Sequence, residues 1–144
     1  MKRVLTTRLI IVALALLGLG DSAYLAYEHF GHRIVCIGTG CSIVDASIYS
    51  GIFDVPLSVL GLLAYSLILG LTAWSLRAAN PLSDYLHLGI FGLALTGTIF
   101  CAYLTYLEFA VIQAFCTWCM ISAVNIAVIF ILATLGLTTP ARAG

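Results

Sequence analysis

Apolar residues fill this chain in long blocks separated by short polar stretches. Four of the blocks approach the roughly 20 residues that cross a bilayer as a helix. They cover about 9–27, 56–76, 86–108 and 115–137, and the longest polar stretch, 29–55, joins the first two. The pattern predicts an all-α integral membrane protein built as a four-transmembrane-helix bundle with a long loop between helices 1 and 2.

Composition supports membrane residence, since 62% hydrophobic residues, 8% charged residues and a mean hydropathy of +1.15 lie outside the range of a water-soluble domain. With 144 residues the chain has no room for a separate soluble catalytic unit. We therefore expect one domain over 1–144, with any active site made from helix ends and the 29–55 loop. The first block follows Lys2, Arg3 and Arg8, as a secretory signal would, but its apolar run reaches Tyr27 and is too long for a signal core. It reads as the first span.

Charge adds an orientation. Lys2, Arg3 and Arg8 precede the first span, Arg77 separates the second from the third, Arg142 follows the fourth, and only Arg33 lies on the opposite side. The positive-inside rule then puts both termini in the cytoplasm and makes the 29–55 loop extracytoplasmic. No basic cluster suits nucleic acid.

Five cysteines carry the candidate chemistry. Cys36 and Cys41 fall in the outer loop, while Cys116 and Cys119 enclose Thr117 and Trp118 at the outer start of the fourth span. All four would face one compartment, the periplasm or cell exterior in a bacterium, where disulfides persist. Residues i and i+3 share a helical face, and the unpaired amides of a first turn favour negative charge, so Cys116 should have a lowered thiol pKa. Thiolate is the form that exchanges. Gly38 and Gly40 between the loop cysteines suggest a flexible segment able to carry a thiol to a second pair. Structural zinc and purely structural disulfides are the competing uses of four cysteines. Cys101, within the third span, reads as a small apolar side chain.

A faint repeat accompanies them. Residues 23–27, AYLAY, match residues 102–106, AYLTY, at an offset of 79, and Cys36 falls on Cys116 at 80. Two parallel halves would bring their cysteines together, although apolar segments also match by chance.

Cys36 and Cys41, the Cys41-Ser42 and Ser47 run, and Cys116-Thr117-Trp118-Cys119 in the last span together resemble the vitamin K epoxide reductase family. The likeness covers nearly the whole chain. It implies a four-helix bundle cupping a quinone, with the loop and its short helix as a lid. By position, Cys119 would meet the quinone, Cys116 would be its partner, Cys41 would exchange with Cys116, and Cys36 would complete the loop pair. In bacterial members a thioredoxin-like protein is reoxidised at the loop pair, electrons pass to ubiquinone or menaquinone, and the partner then inserts disulfides into exported proteins. No metal is implied, and the expected location is the inner (plasma) membrane.

Ser47 matches a hydroxyl of the family's loop helix, thought to hold that region near the quinone. The asparagine and tyrosine that hydrogen-bond vitamin K in vertebrate enzymes are replaced here by Leu57 and Ala123, which argues against vitamin K epoxide as substrate. Asn125 is a candidate replacement donor, and equally a polar bridge between helices. Aromatic residues cluster in the outer half, including Tyr24, Tyr27, Tyr103, Tyr106, Phe115 and Trp118. Most read as an interfacial belt, with Trp118 the candidate for stacking on the quinone.

Asp21 lies inside a span, six residues from its expected outer end, within reach of water or a tyrosine; proton handling is the functional reading. Glu28 and Glu108 are expected nearer the surface, and His29, His32 and His87 carry weaker claims. Two rivals remain. One is a small membrane assembly protein braced by disulfides; the other is an enzyme acting mainly as a quinone or vitamin K epoxide reductase. The second quinone-coupled disulfide-forming family of bacteria, also four-spanning, carries its CxxC in the first outer loop, unlike this chain.

Overall fold

The computed structural model describes residues 2–31, 40, 43, 46–48, 51–52, 55–79 and 81–138. Cys36, Cys41, His32 and Arg33 lie outside the described residues. Helix α1 spans Lys2–Gly31, α2 Leu57–Ser75, α3 Leu82–Leu107 and α4 Thr117–Thr138. A π-helical turn, Glu108–Ile112, extends α3. A two-residue strand β1, Gly51–Ile52, pairs antiparallel with β2, Val55–Pro56, directly before α2.

All four predicted spans are present, each long and apolar enough to cross a membrane. The first is longer than its apolar run, because no residue between Lys2 and Leu9 breaks a helix; Thr6 and Thr7 return their hydroxyls to Lys2 O and Arg3 O. The fourth begins at Thr117, two residues later than expected. Prolines stand directly before α2 and α3, at Pro56 and Pro81. A missing N–H costs nothing there, since first-turn amides have no intrahelical acceptor.

Successive helices pack against each other and α4 closes onto α1, so α1 and α3 sit diagonally in the bundle. Ile11, Ala15, Ile68, Ile90, Ala94, Ile129 and Ala133 are fully buried at the centre. Leu17, Leu63, Ile99, Val124 and Ile131 are each more than half exposed around the outside, an arrangement suited to lipid. In lipid, helices associate by close packing of small residues. Here the Tyr65 ring fills the space a side chain at Gly18 would need, and a Cβ on Gly61 would lie 2.6 Å from Ser22 Oγ. These contacts draw α2 tightly against α1.

The bundle has two dissimilar ends. At one, Arg8 donates to Ser75 O (2.7 Å), satisfying a carbonyl at the end of α2, and the described cations Lys2, Arg3, Arg8 and Arg77 all gather there. At the other, Tyr24 near the end of α1 packs against Trp118 near the start of α4, with centroids 5.1 Å apart and planes tilted by 46°. Cys116 and Cys119 belong to this second end.

Candidate active site

Cys116 is the residue immediately before α4. Its carbonyl accepts the first helical hydrogen bond, from Met120 N (3.0 Å), and its Sγ accepts one from Cys119 N (3.3 Å). This is N-cap geometry with sulfur in place of the usual oxygen. The expectation that Cys116 opens the first turn is thus corrected by one position, and the correction strengthens the chemistry. An N-cap atom receives a first-turn N–H and faces the positive end of the helix dipole. Hydrogen bonding from the Cys119 thiol holds the Cys116 thiol below its ordinary pKa, against the opposing effect of burial and with help from the Cys119 N–H.

Cys116 and Cys119 both carry free thiols and differ in access. Cys116 is 2% exposed, whereas Cys119 is half-buried. Two sulfurs on one face of the helix start, both within the protein, are placed for exchange with each other.

What encloses Cys116 was not foreseen. Glu108 was expected near the surface, yet it is only 4% exposed, and its Oε2 accepts a hydrogen bond from Cys116 N (3.3 Å). Its carbonyl accepts from Gln113 N and from Ala114 N (3.3 Å), and Gln113 takes φ 53°, which ends the helix. One residue therefore ties the π-helical turn, the connecting segment and the N-cap together. The only sequence signal was an acidic residue closing an apolar run eight positions before a cysteine. Glu108 also opposes ionisation of Cys116 through its charge. A Glu108→Gln variant keeps an oxygen for Cys116 N and removes that charge, so the thiolate absorbance of Cys116 should titrate at lower pH than in wild type. Glu108→Ala instead strands a buried N–H, and should lower stability by about 1–3 kcal/mol in detergent unfolding.

The second unforeseen contact involves Gly40, which has helical backbone. A Cβ at Gly40 would overlap the backbone carbonyl of Phe115. Its missing side chain permits close approach between loop and bundle. Ser47 is half-buried at a bend rather than in a helix.

Below the thiols, toward the bundle centre, lies a polar network. Ser122 is one turn beyond Cys119, and Tyr65 OH lies 3.1 Å from both Ser122 O and Ser122 Oγ. Asn125 Nδ2 donates to Leu14 O (3.0 Å) and Tyr65 OH (3.4 Å), linking α1, α2 and α4. Both amide hydrogens of Asn125 are engaged within the protein, as the bridging alternative expects. Trp118 packs on Tyr24, while Tyr27, Tyr103, Tyr106 and Phe115 are each more than half exposed, as an interfacial belt requires. Cys101 packs against the core.

The model of the vitamin K epoxide reductase family matches residues 9–134. This chain belongs to that family. Vitamin K epoxide reductase family members are membrane oxidoreductases that in general use thiols and quinones as electron partners, and the four apolar helices make this one a multi-pass membrane protein. The matched region contains both cysteine pairs, Glu108, Tyr65 and Asn125.

Proposed function

We propose that the protein is a thiol:quinone oxidoreductase that reoxidises a thioredoxin-like partner, with Cys36 and Cys41 passing electrons to Cys116 and Cys119 and thence to ubiquinone or menaquinone. The observation that carries this reading is the contact of Gly40 with the Phe115 backbone. The next residues along the chain are Cys41 and Cys116, each one Cα step of 3.8 Å further on. A residue chosen to let backbones touch beside two cysteines favours exchange between them.

The residues present suit a quinone. Its ring needs an apolar slot and its two oxygens need hydrogen-bond donors. The Ser122 hydroxyl, held by Tyr65, lies one turn beyond Cys119 and is the candidate donor to a quinone oxygen. Asn125 serves by holding Tyr65 in place. A bound quinone supplies a two-electron acceptor that takes up two protons.

The thiol steps follow from the N-cap. Cys41 thiolate attacks Cys116 Sγ of the Cys116–Cys119 disulfide, forming a Cys41–Cys116 bond and releasing Cys119. Cys36 then attacks Cys41 Sγ, closing the loop disulfide and releasing Cys116, whose sulfur leaves into a position that favours its anion. The loop pair is oxidised and the α4 pair reduced, with two electrons moved. Closing Cys116–Cys119 again delivers those electrons to the quinone. The loop 29–55 acts as the lid, within one domain over 1–144.

The clustering of Lys2, Arg3, Arg8 and Arg77 at the end opposite Cys116 supports cytoplasmic termini and a site facing the periplasm or cell exterior, in the plasma membrane. Disulfide formation in exported proteins is then the physiological output. The purified protein, given a dithiol and a soluble ubiquinone analogue, should form quinol, and a Cys36→Ser variant whose released Cys119 thiol is alkylated should retain a Cys41–Cys116 disulfide detectable by peptide mass spectrometry. Absence of both products removes the proposal.

A further inference from the structure

Asp21 is the buried ionisable group that these thiol steps leave unused. It lies ten residues before the end of α1, about 15 Å along the axis at helical rise, deeper than the sequence suggested because α1 continues to Gly31. Both carboxylate oxygens are buried, and neither has a hydrogen-bond partner among the described residues. The Ser122 hydroxyl faces Asp21 without completing a hydrogen bond, and Tyr65 on α2 together with Cys116 and Cys119 at the start of α4 are close enough to interact with it electrostatically. An unpaired negative charge at such a site is costly, and an ionisable residue kept there points to a functional role.

Proton accounting gives this group a task. Conversion of a quinone to a quinol takes two electrons and two protons. In its reactive form the α4 pair is a Cys116 thiolate beside a Cys119 thiol, which brings two electrons and one proton. One proton must therefore come from another group within the bundle. We infer that Asp21 holds that second proton and delivers it to the quinone oxygen as the Cys116–Cys119 disulfide closes. The inference rests on the quinone reading above. In the balanced step the S–S bond forms, the Cys119 S–H and Asp21 O–H bonds break, two O–H bonds form on the quinone, and Asp21 is left as carboxylate. It regains its proton from the outer compartment along one face of α1, where Tyr24 and Glu28 follow at i+3 and i+7 and Glu28 Oε2 is buried with no partner among the described residues.

Two readouts test this. In quinone-free protein, the infrared spectrum should contain the carbonyl stretch of a protonated carboxyl, which shifts in deuterium oxide and is missing in Asp21→Asn. In dithiol-driven reduction of a soluble ubiquinone analogue, Asp21→Asn should form quinol about a hundredfold more slowly, the order of a general-acid contribution. Its Cys116–Cys119 pair should still equilibrate with a small dithiol as in wild type. Asp21→Glu should recover at least about a tenth of the wild-type rate. A wild-type rate in Asp21→Asn, or a wild-type spectrum without the carboxyl band, overturns the inference while leaving the thiol:quinone reading intact. Failure of wild type to reduce the quinone at all overturns that reading itself. Should Asp21→Asn not fold, the band is read in wild type and Asp21→Glu, and an Asp21→Glu protein that folds but is as slow as background counts against the role.

Discussion

A Cys119→Ser variant should lose thiol-driven quinone reduction by about a thousandfold or more, the scale seen when one member of a concerted catalytic group is removed. In the proposed path Cys119 is both the sulfur released when the loop attacks and the sulfur that meets the quinone, so neither function has a substitute. In its absence the α4 disulfide cannot form, so the loop has no bond to attack and Cys116 should remain a free thiol. The matching Cys116→Ser variant should be equally inactive for a different reason. Serine is a favoured N-cap, and its oxygen can accept the Cys119 N–H that Cys116 Sγ now accepts. Cys116→Ser should therefore fold with unchanged stability, whereas Cys116→Ala, lacking any cap, should lose about 1 kcal/mol. Activity and stability would then separate at one residue. Quinol formation followed by absorbance, with thermal unfolding in detergent, reads both; substantial turnover by Cys119→Ser would rule out the proposed electron path.

The four spans and the CxxC at the start of the last were legible because both are local properties. An apolar block declares a span wherever its neighbours lie, and two cysteines three apart share a helical face in any bundle. What the sequence concealed depends on packing across the bundle. Glu108 reads as a polar residue at a membrane boundary until the π-helical turn folds the chain back, so that its carboxylate meets Cys116 N and its carbonyl meets the segment between. Tyr65, in the middle of α2, looks like any aromatic residue of a span; only the close crossing at Gly18 directs its hydroxyl to Ser122 and Asn125 on α4. Asp21 was visible as an anomaly, but its depth depended on where α1 ends, and apolar content stops at Tyr27 while the helix continues to Gly31. The loop cysteines lie outside the described residues, so their pairing rests on the family resemblance and on Gly40.

Gly40 provides the second large effect. Replacing it with alanine adds a single methyl group, and that methyl would fall on the Phe115 carbonyl, a backbone atom that cannot rotate aside as a flexible side chain can. The loop must therefore lift by roughly the width of the added group, and Cys41, bonded to Gly40, should be displaced with it. Misplacing a reacting atom by about 1 Å can cost around a hundredfold in rate. Gly40→Ala should thus slow electron transfer from a thioredoxin-like dithiol by about that factor. A small dithiol that reduces Cys116–Cys119 directly bypasses the loop and should drive quinone reduction at the wild-type rate. The obstacle is main chain, so trimming the Phe115 side chain to alanine should not rescue Gly40→Ala, although a clash with the aromatic ring would be relieved by it. If Gly40→Ala passes electrons from the protein partner as fast as wild type, the contact is not the exchange point, and transfer between the two cysteine pairs must be sought elsewhere on the loop.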